Sequence, residues 1–543
     1  MAFCTKTIIT TALPTIAEHF GSASGYTWIG SAYLLGAASS TPIWGKISDI
    51  FGRKPILLMA NLVFFVGSLI AAVSVNIGML ITGRVIQGIG GGGLITLVTI
   101  CIGDIFSPRS RGAYYGMIGG VWALASAIGP LIGGAFAENV SWRWCFYINL
   151  PCDGLAFVVI LFFLNNLHTP RTPIWAGLKA IDWLGSICIV GGTIMFLLGL
   201  EFGGVNFPWN SVKVICLIVF GAVMILFFAL NEWKLAIYPV IPLHIFSKTH
   251  NIACLLVCFA HGFVFIGGTY YLPFYFQACL GATPILSGVY TLATALSLSL
   301  LSVFTGIYIR KTGQYRPPIW FGLTLMTVGF GLFIDLWLNS NWAKIILYQI
   351  VAGIGVGPNF QAPLIALQSN IDPRDIAAAT ATFQFVRNLA TSISVVVGGV
   401  VFQNEMSKQS GKLIAALGPN TAQSLGGFNA GASTQIVDRL PPAQRQVARE
   451  AFMQSLHYMW IMYVCFSAVG LLCGLLIRKK TLTRQHEQTK TGLEMEKQKR
   501  EERQQLGEER RKRKAAGLPN GSDVEKDAAA FNFAAGAQPE GMR

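Results

Sequence analysis

Asp49, Arg53, Lys54 and Asp104 are charged residues whose spacing suggests a working device. The first three stand in Gly45-Lys-Ile-Ser-Asp49-Ile-Phe-Gly52-Arg53-Lys54-Pro55, between two apolar runs. Gly45 and Gly52 permit a tight turn and Pro55 suits the first turn of a following helix. Asp49 can pair with a basic neighbour or with that helix's positive N-terminus. Asp104 follows a later apolar run and can reach the same loop. The expected chemistry is a charge cluster of Asp49, Arg53 and Asp104 that latches one side of a membrane protein and breaks when its parts move.

Other polar groups lie within apolar runs, where an ionisable side chain is costly unless it faces a cavity or a partner. Arg84 sits a few residues inside its run. Arg387 shares a helical face with Gln384 and Asn388, a set that can bind an anionic group or tie helices together. His261 opens an aromatic stretch through Tyr270, Tyr271, Phe274, Tyr275, Phe276 and Gln277, of which Tyr271 and Gln277 are candidates for a pathway wall. Most of the eleven cysteines lie in apolar runs without metal-type spacing, so no metal or cofactor is expected. No hydrolytic Ser-His-Asp set stands out either, which argues against an enzyme.

These residues need helices to place them. At 53% hydrophobic and 12% charged residues, with a mean hydropathy of +0.55, the chain has too little polar surface for a soluble globule of 543 residues. Its apolar blocks predict spans near 28–45, 55–74, 78–102, 112–137, 143–165, 181–200, 211–231, 250–273, 284–309, 317–338, 342–367, 376–403 and 456–477. A shorter stretch, Ala2 to Ile16, brings the total to about fourteen and reads as a first helix whose start is missing. Thirteen short-loop basic residues, from Lys46 to Arg374, fall on one side, against Arg143, Lys213 and Lys344 on the other. That bias places the C-terminal tail in the cytoplasm. The segment 404–455 is then an external loop, and Asn139-Val-Ser141 is an outside glycosylation match.

The net charge of +15 is divided between the loops and a tail with a run Arg510-Arg-Lys-Arg-Lys514. Beside a bilayer this pattern fits anionic headgroups rather than nucleic acid. The end of the tail, rich in Ala, Gly and Asn, reads as disordered.

Two stretches 265 residues apart repeat one theme: Arg84-Val-Ile-Gln-Gly-Ile-Gly-Gly-Gly92 and Gln349-Ile-Val-Ala-Gly-Ile-Gly-Val-Gly357. The offset holds from Gly88, Gly90 and Gly92 through Pro108 and Arg109, which fall on Pro373 and Arg374. Parallel repeats in a membrane protein imply two halves alternating about a central substrate site. Gly88 to Gly93 also satisfies G-x-G-x-x-G, but within a long apolar helix Gly88 and Gly92 are expected instead to form a close-packing face.

The loop Gly45 to Pro55 strongly resembles the signature loop of the major facilitator superfamily. Arg84 with its glycines resembles that superfamily's fourth-span motif, and Gly120-Val-Trp-Ala-Leu-Ala-Ser-Ala-Ile-Gly129-Pro130-Leu-Ile-Gly133-Gly134 its fifth-span antiporter motif. Ala12-Leu13-Pro14, Tyr26-Thr-Trp28, Trp142 to Pro151 and Phe383 to Asn388 are similar to the fungal fourteen-span drug:proton antiporter branch. The resemblance covers roughly residues 5 to 405. It implies an all-α polytopic fold of two six-span bundles plus two extra spans. Residues 1–165 would form the first bundle and 166–240 the linker carrying the extra spans. The second bundle would take 241–480, and 481–543 the tail.

Export of drugs, toxins or secondary metabolites coupled to protons is implied, by an expected monomer in the plasma membrane. Trp28 joins the pathway candidates and Arg84 becomes a candidate for gating or proton transfer. The alternatives are vacuolar transport of basic amino acids and a non-transporting membrane sensor. One departure bears on coupling: where that branch typically carries an aspartate before its first Ala-Leu-Pro, this chain has Thr5, followed by Lys6. Glu201 and Asp335, toward the outer ends of their spans, are expected to be poor replacements.

Overall fold

The computed structural model describes residues 8–9, 12–13, 15–16, 19–20, 23–164, 172–204, 207–425, 437, 440–485, 492–495 and a few isolated residues to 508. Thr5, Lys6, Arg171, the end of the tail and the side chains of Pro130 and Arg374 lie outside the described residues. The long helices are α1 (Ala23–Phe51), α2 (Arg53–Ala72), α3 (Ile77–Ile105), α4 (Pro108–Asn139) and α5 (Trp144–Phe163). After them come α6 (Trp183–Phe202), α7 (Val212–Lys234), α8 (Thr249–Cys279) and α9 (Ile285–Thr312). The last four are α10 (Arg316–Phe333), α11 (Trp342–Ser369), α12 (Ile376–Lys408) and α13 (Pro442–Leu475). Among the described residues, ten of these are long and apolar enough to cross a membrane. Every span expected beyond the first has its helix. From the first stretch, Ile8, Ile9, Ala12, Leu13 and Ile16 are buried with Trp142, Cys145 and Phe146.

Local chemistry sets the helix ends. The Asn76 side chain accepts from Met79 N at 2.8 Å to start α3, and the Asp182 carboxylate accepts from Gly185 N at 2.9 Å to start α6, each satisfying an orphan donor of a first turn. Gly52, at φ 93°, breaks the chain between α1 and α2 in a backbone region that favours glycine. The final helix differs from expectation: α13 begins at Pro442 and α12 runs to Lys408, with two short helices, Ser410–Leu417 and Pro419–Leu425, in the expected external loop. The first turns of α13 carry Arg445 and Arg449, which depress hydropathy, yet Ala448, Phe452 and Met453 are buried.

The glycine repeat is visible as packing. A Cβ on Gly88 would lie 2.2 Å from the Tyr33 carbonyl and one on Gly90 2.4 Å from Phe64 N, so α3 touches α1 and α2 backbone to backbone. In the second half, a Cβ on Gly353 would lie 2.6 Å from the Thr294 carbonyl and one on Gly355 2.1 Å from Met326 N, so α11 meets α9 and α10 in the same way. Gly92 and Gly357 complete the pattern against the Ala37 and Leu298 carbonyls. Without side chains the helices come close enough for dense dispersion contact, which does the work of association in a lipid medium.

Candidate functional site

At the end of the first half that the loop charges lead one to expect in the cytoplasm, Arg53 Nη1 lies 2.7 Å from Asp49 Oδ1, and Arg53 Nε donates to Asp104 Oδ2 at 2.7 Å. The Ser48 hydroxyl accepts a further bond from Nη1 at 2.7 Å. Arg53 is 3% exposed and Asp104 1%, so this charge cluster is desolvated and both carboxylates face one guanidinium. Lys54 stands half-buried beside it. The three expected residues thus meet, but within one half. Their neighbours carry the contact across: a Cβ on Gly45 would lie 2.7 Å from the Ala381 side chain, and one on Gly103 would lie 3.3 Å from Ile376.

A ladder of hydrogen bonds joins the two halves above that contact. Arg109 Nε donates to the Arg310 carbonyl at 2.8 Å. Gln368 Nε2 donates to Tyr115 Oη at 3.1 Å, Gln384 Nε2 to Thr99 Oγ1 at 3.4 Å, and Asn388 Nδ2 to Thr41 Oγ1 at 3.1 Å. The seam continues along α4, where Gly112 and Gly116 face Gly306 of α9 and Gly120, the first residue of the fifth-span motif, faces Val303. Gly129 and Gly133 are buried farther out, and the Gly133 carbonyl faces Cys145 Sγ.

Outside Asn388 the contact between α1 and α12 gives way to a narrow cleft lined by Trp28, Ser31, Leu197, Glu201, Ser392 and Val395 among others. The extra span α6 forms its third wall. Ser31 Oγ donates to Glu201 Oε1 at 2.7 Å, and the Trp28 ring lies 5.5 Å from Phe202. Tyr271, expected on the pathway, stands behind the wall and donates to the Val395 carbonyl at 3.0 Å. Glu201 therefore lines a cleft between the halves. Asp335 is exposed outside α10, where the Lys344 ammonium holds its carboxyl below the usual range; a carboxylate so held stays ionised and is a poor carrier of protons.

The remaining candidates are spread apart. Arg387 donates to the Phe360 carbonyl and stacks over Phe360 and Phe383, tying α12 to the turn Gly357–Phe360 within α11 inside one half. Gln277 Nε2 reaches Ser287 Oγ at 3.3 Å, joining α8 to the start of α9. Asn139 is exposed at the outer end of α4. Arg84, 1% exposed, donates from Nε to the Ile29 carbonyl at 2.9 Å and from Nη1 to Gln87 Oε1 at 2.6 Å. Gln87 passes the bond to Ser68 Oγ at 2.8 Å, and the guanidinium stacks 4.7 Å over the Tyr33 ring. Sequence reasoning missed Asp153, 1% exposed inside α5, although a carboxylate in an apolar run was a sufficient signal.

The ladder yields a direct prediction. Cysteines at Thr41 and Asn388, cross-linked by a short bifunctional thiol reagent, are expected to hold α1 and α12 together where they cross and stop transport. Each single cysteine should retain it. Continued transport by the cross-linked protein would show that the two helices need not separate there.

The family model described as Major Facilitator Superfamily matches residues 1–395. The chain is 58% identical over 491 residues to "Efflux pump dotC" of Dothistroma septosporum, covering 90% of this chain and 84% of that protein. It is 54% identical to "MFS-type transporter ppz2" of Metarhizium majus, covering 94% and 88% respectively. Among solved structures, the human organic anion transporter MFSD10 aligns with a TM-score of 0.54 at 16% identity, over 88% of this chain and 96% of that one. The proton:xylose symporter XylE gives 0.55 at 14%, over 89% and 94%, and both likenesses bear on the fold alone. With the family model spanning most of the chain and the glycine repeat, signature loop and paired halves in place, this chain belongs to the Major Facilitator Superfamily.

Proposed function

We propose that the protein exports small, largely apolar molecules, such as toxins or secondary metabolites, by alternating access, using an inward flow of protons. The family carries multi-pass membrane embedding and small-molecule substrates with it, and the role is that of a transporter rather than an enzyme. The observation that carries the reading is an asymmetry. Hydrogen bonds join α1 and α3 to α12 and α4 to α11 toward the side expected in the cytoplasm, whereas α1 and α12 part toward the other side around the Trp28–Glu201 cleft. Such an arrangement releases substrate outward, and rocking the halves the other way would open it inward. The cleft's leucine and valine lining suits apolar cargo, and the names of similar fungal proteins point the same way.

In this reading residues 1–165 and 241–480 are the moving bundles, 166–240 carries the extra spans, 481–543 is a cytoplasmic tail, and the monomer works in the plasma membrane. A second reading, vacuolar transport of basic amino acids, draws on Glu201, whose carboxylate in the cleft suits a cationic group. Expression in a pump-deficient yeast separates the two. Export predicts growth on a toxin panel with the protein at the cell surface. Unchanged toxin sensitivity, with vacuolar protein and raised vacuolar lysine and arginine, would overturn it.

A further inference from the structure

Asp153 lies nine residues into α5, about 14 Å along the helix axis at 1.5 Å per residue, which sets it near the middle of a hydrocarbon layer about 30 Å thick. It is 1% exposed. Its Oδ2 has no hydrogen-bond partner, and among the described residues no cation lies within ion-pair distance. Asn61, from the middle of α2, donates to the Asp153 backbone carbonyl at 2.9 Å and not to Oδ2. A carboxyl group at such depth is stabilised by a partner or by its own proton.

The surroundings make a link to Arg84. The connection runs along α2, where Asn61 holds the Asp153 carbonyl and Ser68, two turns on, accepts from Gln87, itself the acceptor of Arg84 Nη1. Arg84 also covers the ring of Tyr33 of α1 at 4.7 Å, and that hydroxyl lies within electrostatic reach of Asp153. Neither has an ion-pair partner among the described residues. Both are in the half that carries Thr5 where the resemblance leads one to expect an aspartate.

We propose that Asp153 is the proton-holding site of the first half, and that Arg84, acting across Tyr33, favours proton release when the halves change orientation. This rests on the proton-coupled reading above. The step is a simple proton transfer: an Asp153 carboxylate oxygen takes a proton from hydronium in water admitted from outside, one O–H bond of hydronium breaking as the carboxyl O–H bond forms and neutral water being left, and on the cytoplasmic side the carboxyl O–H bond breaks and the proton passes back to water as hydronium. The positive charge of Arg84 stabilises the ionised form left behind. Arg84 is a positioning residue here, since no substrate or proton need touch it.

The test uses the purified full chain in proteoliposomes, with Nile red as an uncharged lipophilic cargo and an imposed proton gradient. Infrared difference spectra between acid and alkaline buffer should show a protonated-carboxyl band, shifted in heavy water, that is missing in Asp153→Asn and displaced in Asp153→Glu. Asp153→Asn should move Nile red at the same rate with and without the gradient, while Asp153→Glu keeps a gradient response. Asp335→Asn, at an exposed carboxylate outside α10, should keep both the band and the response. A band unchanged in Asp153→Asn and Asp153→Glu overturns the proposal, as does gradient-driven movement surviving in Asp153→Asn. If the unaltered chain moves dye with no response to the gradient, the coupling reading fails. In that event the infrared band still decides whether Asp153 takes up a proton.

Discussion

Arg53→Ala is expected to abolish transport and sharply reduce the amount of folded protein in the membrane. The substitution leaves the Asp104 carboxylate, 1% exposed, and Asp49 without the guanidinium that both face at 2.7 Å. Removing one partner of a buried ion pair costs about 3–5 kcal/mol, because the remaining charge is left in a low-dielectric site. Asp49→Ala is milder in this account: Arg53 keeps Asp104, so expression holds while the cytoplasmic latch loosens and transport falls. Lys54→Ala should change little, since no ion pair to Lys54 is present among the described residues and half-exposed charges contribute under about 1 kcal/mol. Membrane levels and export measured side by side for the three variants give the order directly. A fully active Asp49→Ala protein would remove the cluster from the gate.

Gly355→Ala is the second large effect. Its Cβ would sit 2.1 Å from Met326 N, backbone against backbone, so α10 and α11 must separate or tilt. Overpacking of a dense interior typically costs about 1–3 kcal/mol, and here no flexible side chain can give way. Thermal unfolding of the purified protein should therefore shift downward, and Gly90→Ala, 2.4 Å from Phe64 N, should behave alike if the two halves are true repeats. Gly331→Ala is the control, because nothing stands within 4 Å of its Cβ position in the same α10. It should be neutral or slightly stabilising, by up to about 1 kcal/mol, through helix propensity. Equal losses at Gly355 and Gly331 would refute the packing argument.

Much of this architecture can be read in the residues alone, because apolar blocks near the thickness of a bilayer have few alternatives to helices. The glycine offset was legible for a similar reason: three small residues in register at two places demand a close neighbour each time. Which neighbour was not legible, since the pairing of Gly88 with Tyr33 joins distant parts of the chain. The start of α13 escaped because charged residues at Arg445 and Arg449 mask a buried stripe of Ala448 and Phe452, a periodic signal that hydropathy averages away. Glu201 shows the difference between depth and direction. Its place near a helix end was plain, but the face it presents to α1 and α12 depends on how the extra spans dock. Arg387 is the converse case, for its neighbours Gln384 and Asn388 reach across to the other half while its own guanidinium is engaged within one. Asp153 was passed over because one carboxylate hardly alters the hydropathy of α5.

The central claim, outward pumping driven by protons, is tested most directly in inside-out plasma-membrane vesicles from cells expressing the chain. Acidifying the lumen makes the gradient that the external face would meet in the cell. Toxins or Nile red should then accumulate inside the vesicles above their external concentration, collapse on addition of an uncoupler, and fail to accumulate in vesicles carrying Arg53→Ala. Accumulation that ignores the uncoupler, or equilibration without accumulation, would contradict the account.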